Sequence, residues 1–209
     1  MNERLDVLNT AGLPTGESKP RGAVHRSGDL HRTLHLWLLK NGRNVLLQRR
    51  APSKDLEPGK LDVAVGGHFR AGETLPDVLR ETREELGFDA GIDELIYLGT
   101  TRARRVYSDV TDNELQETYL LLRDAPLESY RLNPAEVEVL YELPLDGALA
   151  LFRHGAPLAA AGFDAYGRQN NALLVAADLI EAARNEVVSR LEQIREFVSR
   201  GAQPQPLDL

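Results

Sequence analysis

Three closely spaced glutamates are the residues of this chain best placed to do chemistry. Glu81, Glu84 and Glu85 stand at positions i, i+3 and i+4, so a helix through them places all three carboxylates on one side. Carboxylates that close repel one another unless a cation lies between them. Mg²⁺, with Mn²⁺ as an alternative, suits such a set because it takes oxygen ligands and bridges to substrate phosphates. For the glutamates alone, a solvated helix face neutralised by Arg80 and Arg83 is the favoured interpretation.

The glycines before this segment favour the metal site over the solvated face. Gly66 and Gly67 follow a strand-like run, and Gly72 precedes the helix. Residues without a side chain let the backbone turn sharply and bring a carbonyl close to the carboxylates. Thr74 is a good helix N-cap and Gly87 a good left-handed stop, so the predicted helix lies between them.

The segment from Gly67 to Phe88 resembles the Nudix box, whose pattern is G-x5-E-x7-R-E-U-x-E-E-x-G-U with U aliphatic. Its positions are filled by Gly67, Glu73, Arg80, Glu81, Glu84, Glu85, Gly87 and Phe88. One departure is that six residues rather than seven separate Glu73 from Arg80. A deletion inside a helix rotates one end by about 100°, so we expect it to be absorbed around Leu75 and Pro76, where the helix starts.

The flanking sequence, from Leu5 to Leu145, resembles the isopentenyl-diphosphate-isomerase-like branch of the Nudix superfamily. The resemblance implies an α/β fold, the Nudix α/β/α sandwich with a mixed β-sheet, here with a C-terminal helical extension. We expect a Nudix domain over residues 1–160, a helical extension packed on it over 161–200, and a flexible tail over 201–209.

The resemblance also implies roles for the acidic residues. Glu81 and Glu85 correspond to metal ligands, Glu84 to a ligand or the general base, and the Gly67 region to a carbonyl donor. Glu114, which follows Asn113, corresponds to an acidic residue that is a further ligand or the general base. Glu84 and Glu114 are therefore the predicted catalytic residues.

Basic residues and one histidine are the predicted substrate-binding groups. Arg21, Arg50 and Lys54 correspond to family positions that contact the diphosphate, where charge-assisted hydrogen bonds to phosphate oxygens are expected. His68 lies in the glycine loop beside them and is predicted to bind substrate as well. Each cation is equally well interpreted as a solvated surface charge.

The histidines allow a second interpretation. His25 and His68 correspond to metal-binding histidines of the isomerases, and His31 lies close to a third, so a second metal at His25 and His68 is one hypothesis. For His31 and His35, a histidine that only makes hydrogen bonds within strands and loops is at least as good an interpretation.

The elements that must position these residues follow from hydrophobic periodicity. Alternation predicts strands at Leu5–Leu8, Thr33–Leu39, Asn44–Arg50, Leu61–Val65, Glu94–Thr101, Leu115–Leu122 and Val137–Leu143. Asn41 and Gly42 predict a tight hairpin. Apolar residues at helical spacing from Asn170 to about Arg200 predict one long helix or two, and homodimerisation through it is a further expectation.

Composition limits the partners and the chemistry. The 209 residues carry a net charge of −7 and no cysteine, so a nucleic acid polymer is not an expected partner and thiolate chemistry is excluded. No run approaches the roughly 20 apolar residues of a membrane span, and Met1–Asp6 lacks the order of a secretory signal. We therefore expect a cytoplasmic protein that acts on a small-molecule diphosphate.

Three functions remain, and the missing cysteine ranks them. Hydrolysis of a nucleoside di- or triphosphate, or a related diphosphate, needs a metal, a carboxylate base and phosphate-binding cations, and all three are predicted. The isomerases of the family place a cysteine where this chain has Gly66, so isomerisation is second. A nucleotide-binding protein without turnover is third, motivated by the shortened box.

Overall fold

The computed structural model describes residues 3–201 and Pro206. Its strands are β1 (Arg4–Leu8), β2 (Pro14–Pro20), β3 (His31–Lys40), β4 (Asn44–Arg50), β5 (Leu61–Val63), β6 (Val65–His68), β7 (Leu95–Val106), β8 (Thr111–Leu122), β9 (Val137–Pro144), β10 (Leu158–Asp164) and β11 (Gln169–Leu174). Its helices are α1 (Arg21–Ser27), α2 (Leu75–Val78), α3 (Arg80–Leu86), α4 (Leu145–His154) and α5 (Arg184–Arg200).

A mixed sheet is the centre of the fold. Its main path runs β11-β10-β9-β4-β3-β8-β7, with β5 beside β4 and β6 beside β3. The central pair β3 and β8 is parallel, whereas the β3–β4 and β4–β9 pairs are antiparallel. Asn41 and Gly42 both adopt positive φ between β3 and β4, as the predicted hairpin requires.

Helices cover both faces of the sheet, each over its own apolar core. On one face Trp37 and Val45 pack with Ala148 of α4 and Leu191 of α5. On the other face a second core contains Leu34 together with Val78 and Leu86 from α2 and α3. The predicted α/β/α sandwich with a mixed sheet is thereby confirmed.

The glutamate helix is interrupted once, between its first turn and the glutamates. The backbone N–H of Thr74 donates to Asp77 Oδ2 at 2.8 Å, so the start of α2 is regularly capped. The interruption is at Leu79, between α2 and α3, where Thr82 N–H bonds to the Leu79 carbonyl three residues back. Gly87 ends α3 with φ 72°.

The helix predicted from Asn170 is wrong for its first part. Residues Gln169–Leu174 form strand β11, which pairs with β10 at the edge of the sheet. Exposure alternates along β11, but its sequence runs from three polar residues to three apolar ones, so the polar and apolar alternation that marks a half-buried strand is missing from the sequence. Helix α5 begins at Arg184. The division at residue 160 stays a prediction, and most of the predicted tail lies outside the described residues.

The register of β3 brings distant residues together. His31 of β3 is paired with Glu114 of β8, and Thr33 with His68 of β6. Helix α1, which the sequence did not predict, carries the buried His25. None of the helices in residues 3–201 combines the length and apolarity that crossing a bilayer requires.

Candidate active site

Glu85 is the most deeply placed of the three glutamates. Its side chain is buried against the sheet, where Gln48 Nε2 and the Gly66 backbone N–H donate to its Oε2 at 3.1 and 3.2 Å. Burial, and then the charge of Glu81, raise the pKa of Glu85 well above its ordinary value. A carboxylate held this way has two neutral donors and no cation within 4.0 Å among the described residues.

Glu81 lies beside Gly67, and the fit depends on the missing side chain. A Cβ at Gly67 would lie 2.4 Å from Glu81 Cδ. Burial raises the pKa of Glu81 to about 7, although hydrogen bonding to Arg80 opposes that rise. Of these two neighbouring carboxyl groups with raised pKa values, Glu81 has Arg80 as a cationic partner and Glu85 has none among the described residues; a divalent cation would supply positive charge to both.

Arg80 links the glycine loop to this helix. Its Nε donates to Glu73 Oε1 at 2.9 Å and its Nη2 to Glu73 Oε2 at 3.0 Å, a fork that matches the carboxylate. The guanidinium also donates to the His68 carbonyl at 3.1 Å and to Glu81. Despite the shortened spacing, Glu73 thus contacts Arg80 and orients it.

Glu84 faces solvent rather than the other two carboxylates. Its side chain is 44% exposed and lies 3.3 Å from Arg70 and 3.6 Å from Arg80. Within the described residues, the three glutamates do not bring their oxygens within 4.8 Å of one another as a set. The helix therefore presents one buried, one partly buried and one accessible carboxylate.

The histidines do form such a set. Ligand atoms of His25, His31 and His68 lie within 4.8 Å of one another, as do those of His31, Asp112 and Glu114. The ring centroids of the three histidines are 5.1 to 5.3 Å apart. Helix α1 and strands β3, β6 and β8 each contribute to this cluster, which we call the histidine cluster.

Unpartnered atoms show that the histidine cluster fits a metal ion. The Nε2 atoms of His25, His31 and His68 and the Oδ1 of Asp112 are buried without a hydrogen-bond partner in the described chain. Buried polar atoms are rarely left unsatisfied. Burial lowers the pKa of His25 to about 4 and that of His68 well below its ordinary value, so both rings are neutral and free to coordinate near pH 7.

The two acids of the histidine cluster differ in their surroundings. Burial, followed by Glu114, raises the pKa of Asp112 to about 7. Burial acts to raise the pKa of Glu114 too, but His35 and Arg105 together lower it. Arg105 Nη1 lies 3.2 Å from Glu114 and 3.7 Å from Asp112, and Gln116 donates to Glu114 at 2.6 Å.

One cleft of about 1070 Å³ is lined by the three glutamates of the helix and by His25, His68, Asp112 and Glu114 of the histidine cluster, whereas His31 is fully buried and does not line it. Eleven acidic and seven basic side chains line it, a formal excess of four negative charges when every carboxyl group is ionised and the histidines are neutral. An anionic diphosphate would be repelled from such a cleft without bound cations. The charge balance and the raised pKa values therefore both point to divalent metal.

The predicted phosphate-binding cations line this cleft, and each faces an acid. Arg50 lies 2.7 Å from Asp62, Arg21 lies 3.4 Å from Asp55, and Lys54 contacts Glu136. The three cations are therefore held at the cleft by acidic partners.

Three parts of the cleft were missed or undervalued by the sequence analysis. Asp112 belongs to the histidine cluster, although only its neighbour Glu114 was singled out. Arg105 joins these acids to Glu186 of α5 at 3.1 Å, and no local pattern marks it. Ile180 and Glu186 line the cleft from the C-terminal segment, which was interpreted as a packing surface only.

Comparison with known proteins assigns the family. The model of the NUDIX domain matches residues 29–160. The chain belongs to the Nudix family. It is 37% identical over 147 residues to an uncharacterized Nudix hydrolase of Clostridium acetobutylicum, an alignment that covers 69% of this chain and 71% of the relative.

Two other relatives show the breadth of the likeness. Nudix hydrolase 3 of Arabidopsis thaliana is 38% identical over 150 residues, covering 69% of this chain but only 19% of that longer protein. An isopentenyl-diphosphate Delta-isomerase of Paenarthrobacter aurescens is 35% identical over 138 residues, covering 65% of this chain and 72% of the relative. Both activities therefore occur among proteins similar to this chain.

Solved structures support the same fold. A crystal structure of a Deinococcus radiodurans protein has a TM-score of 0.56 and 28% identity, and the match covers 73% of this chain and 90% of that one. Nudix hydrolases act on small-molecule diphosphates and generally use divalent metals. The two donor sets described above are where this family member could hold such ions.

Proposed function

We propose that this Nudix protein is a divalent-metal-dependent pyrophosphohydrolase that cleaves the diphosphate linkage of a nucleoside di- or triphosphate or a related nucleoside diphosphate derivative. The observation that carries the proposal is one acidic cleft lined by the glutamate helix, by four members of the histidine cluster, and by Arg21, Arg50 and Lys54, the three cations predicted to bind phosphate. These groups together meet the needs of phosphoryl transfer, which are positioning and charge stabilisation.

Two sets of residues would hold Mg²⁺ or Mn²⁺. The first consists of Glu81 and Glu85 with a carbonyl of the Gly67 region. The second is the histidine cluster, which consists of His25, His31, His68, Asp112 and Glu114. In both places the metal would supply positive charge to phosphoryl oxygens and lower the pKa of water. Since imidazole nitrogens favour transition metals, Mn²⁺ suits the second set better.

Glu84 is the better-placed candidate for the general base. It is accessible at the cleft, whereas Glu114 is buried and occupied by Arg105 and Gln116. In the proposed step, Glu84 takes a proton from the attacking water as a new P–O bond forms. The bridging P–O bond opposite it breaks, and the leaving group departs with the bridging oxygen. Arg50 and Lys54 hold the phosphate oxygens in place.

The test measures release of phosphate or nucleoside monophosphate from nucleoside di- and triphosphates, nucleotide sugars, dinucleotides and isoprenoid diphosphates with Mg²⁺ or Mn²⁺. Glu84→Gln is expected to lower kcat by about 10²- to 10⁴-fold, the usual contribution of a general base. Glu128→Gln is the control, because it makes the same chemical change at an exposed residue outside the cleft lining. No release from any substrate, with tight metal-dependent nucleotide binding retained, would refute the hydrolase and favour a nucleotide sensor.

Isomerisation of an isoprenoid diphosphate is the second candidate, and the histidine cluster is the observation in its favour. His25 and His68 correspond to metal-binding histidines of the isomerases, and His31 completes the set in the fold. Gly66 argues against it, since the isomerase position for a cysteine carries no side chain here. Product analysis separates the two, because isomerisation moves a double bond and releases no phosphate.

A further inference from the structure

Nearly every carboxylate of the cleft has a basic partner, and the exceptions are informative. Of the eleven acidic side chains lining it, nine lie within 4.0 Å of an arginine or lysine in the described chain. The other two are Glu85 and Glu57. Glu85 belongs to the proposed metal site, but Glu57 belongs to no group of potential metal ligands within residues 3–201. Glu57 is partly exposed, so its carboxylate is accessible from the cleft.

The backbone holds Glu57 in a conformation that glutamate rarely adopts. Its φ is 49°, in the left-handed region, which costs energy for a residue with a side chain. Neighbouring bonds impose this geometry: the Lys60 N–H donates to the Glu57 carbonyl at 3.3 Å, and Arg50 Nε donates to the Leu56 carbonyl at 3.2 Å. Glu57 lines the cleft in this conformation. The same loop has a second positive φ, of 72°, at Gly59.

Tyr107 holds the Glu57 carboxylate by a hydrogen bond. Its hydroxyl donates to Glu57 Oε1 at 3.2 Å, and the turn after β7 is closed by the Tyr107 N–H bonding to the Val110 carbonyl at 2.9 Å. Burial, and then Glu57, raise the pKa of Tyr107, so the hydroxyl keeps its proton. No other hydrogen bond reaches the Glu57 carboxylate from the described residues, so Oε2 is available to a ligand.

The pair lies beside the proposed metal ligands. Tyr107, Glu57, Asp112 and Arg105 all line the same cleft, and the charges of Asp112 and Arg105 act on the Tyr107 hydroxyl. A cleft of about 1070 Å³ has room for a substrate that places its phosphates at the metal ligands and its next group at Glu57. A lone carboxylate in an already acidic cleft suits a neutral group that donates hydrogen bonds, not a further phosphate.

We propose that Glu57, oriented by Tyr107, accepts hydrogen bonds from the vicinal hydroxyls of a ribose, and so selects ribonucleoside diphosphates and their derivatives. A carboxylate presents two oxygens to two adjacent hydroxyls, as acidic residues do to ribose in dinucleotide-binding sites. An isoprenoid diphosphate has no such hydroxyls. The inference rests on the proposed function for the identity of the diphosphate site.

The test compares ribonucleoside diphosphates with their 2′-deoxy counterparts in wild type, Glu57→Gly and Tyr107→Phe. Glycine removes the carboxylate and fits φ 49° without strain. Asp109→Asn is the control, because it neutralises an exposed acid at the same hairpin that does not line the cleft. We measure kcat and KM for hydrolysis and, separately, the Kd of each nucleotide in the presence of Mg²⁺.

Wild type and Asp109→Asn are expected to favour the ribonucleotide in KM and Kd by about 10- to 100-fold, the size of a hydrogen bond to a charged group. Glu57→Gly is expected to abolish this preference by weakening only the ribonucleotide, and Tyr107→Phe to reduce it. Equal binding of both nucleotides by wild type, or a preference kept in Glu57→Gly, overturns the inference. The inference is also overturned if Glu57→Gly weakens binding of both nucleotides equally and changes the Mg²⁺ dependence. If no nucleotide is hydrolysed but the Kd preference disappears in Glu57→Gly, the proposed hydrolase fails and ribose recognition stands.

Discussion

Substitution of Gly67 by alanine should damage catalysis without removing any functional group. The new Cβ would lie 2.4 Å from Glu81 Cδ, 2.5 Å from Cγ and 2.7 Å from Oε1, whereas ordinary contact begins at 3.4 Å. The Glu81 carboxylate must therefore retreat by about 1 Å, and a misplacement of that size costs on the order of 10²-fold in rate. That loss corresponds to about 2.7 kcal/mol in the barrier.

Gly66→Ala is a matched control for this prediction. A Cβ there would meet Val63 Cγ2 at 3.6 Å and the Leu34 carbonyl at 3.8 Å, both ordinary contacts, and the backbone N–H that reaches Glu85 is kept. Both variants are assayed for kcat/KM across a Mg²⁺ titration, with thermal unfolding to show that each is folded. Gly67→Ala should need more Mg²⁺ and turn over more slowly, while Gly66→Ala should resemble wild type. Equal activity of the two variants would refute the steric argument.

Three further outcomes follow from the same site. His68→Ala should bind Mn²⁺ more weakly, by calorimetric titration, because it removes one donor of the histidine cluster; unchanged affinity would count against that metal site. Mn²⁺ at about 100 times its Kd should raise the free energy of unfolding by about 2.7 kcal/mol. An unchanged Tm after the Mn²⁺ is removed with a chelator would contradict metal binding by the folded protein. Arg80→Lys loses the fork on Glu73 and should cost about 1 to 3 kcal/mol in urea unfolding, whereas wild-type stability would show that the fork contributes little.

Much of the glutamate helix was predictable because its signals are local. The spacing of Glu81 and Glu85, the Thr74 cap and the Gly87 stop all lie within a few turns of one helix, and α2 and α3 follow them apart from the interruption at Leu79. The alternation of β3 and its Asn41 hairpin were local in the same way. Helix caps, helical spacing and tight turns depend on residues close to one another in the chain, so they can be recognised in a single sequence.

The histidine cluster was less predictable because its members meet only in the folded chain. His25 lies on a seven-residue helix, too short for helical periodicity to be visible. His31 is brought to Glu114 by parallel pairing of strands that are distant in sequence. Asp112 lies on the same strand as Glu114 and is brought to the histidine cluster by the same pairing. Tertiary register, rather than residue type, separates a metal-ligating histidine from one that only makes hydrogen bonds.

The position of the C-terminal segment has a consequence for how this protein could diversify. Ile180 and Glu186, which line the cleft, lie beyond the residues matched by the family model, whereas every proposed metal ligand except His25 lies within them. Two contacts to the segment, Arg49 to Asp178 at 2.9 Å and Arg105 to Glu186 at 3.1 Å, hold it to the domain. Substitutions in this wall can alter which molecules enter while leaving the helix that handles phosphate intact. Part of the cleft wall thus lies outside the stretch that carries most of the proposed metal ligands, and the two stretches can vary independently in sequence.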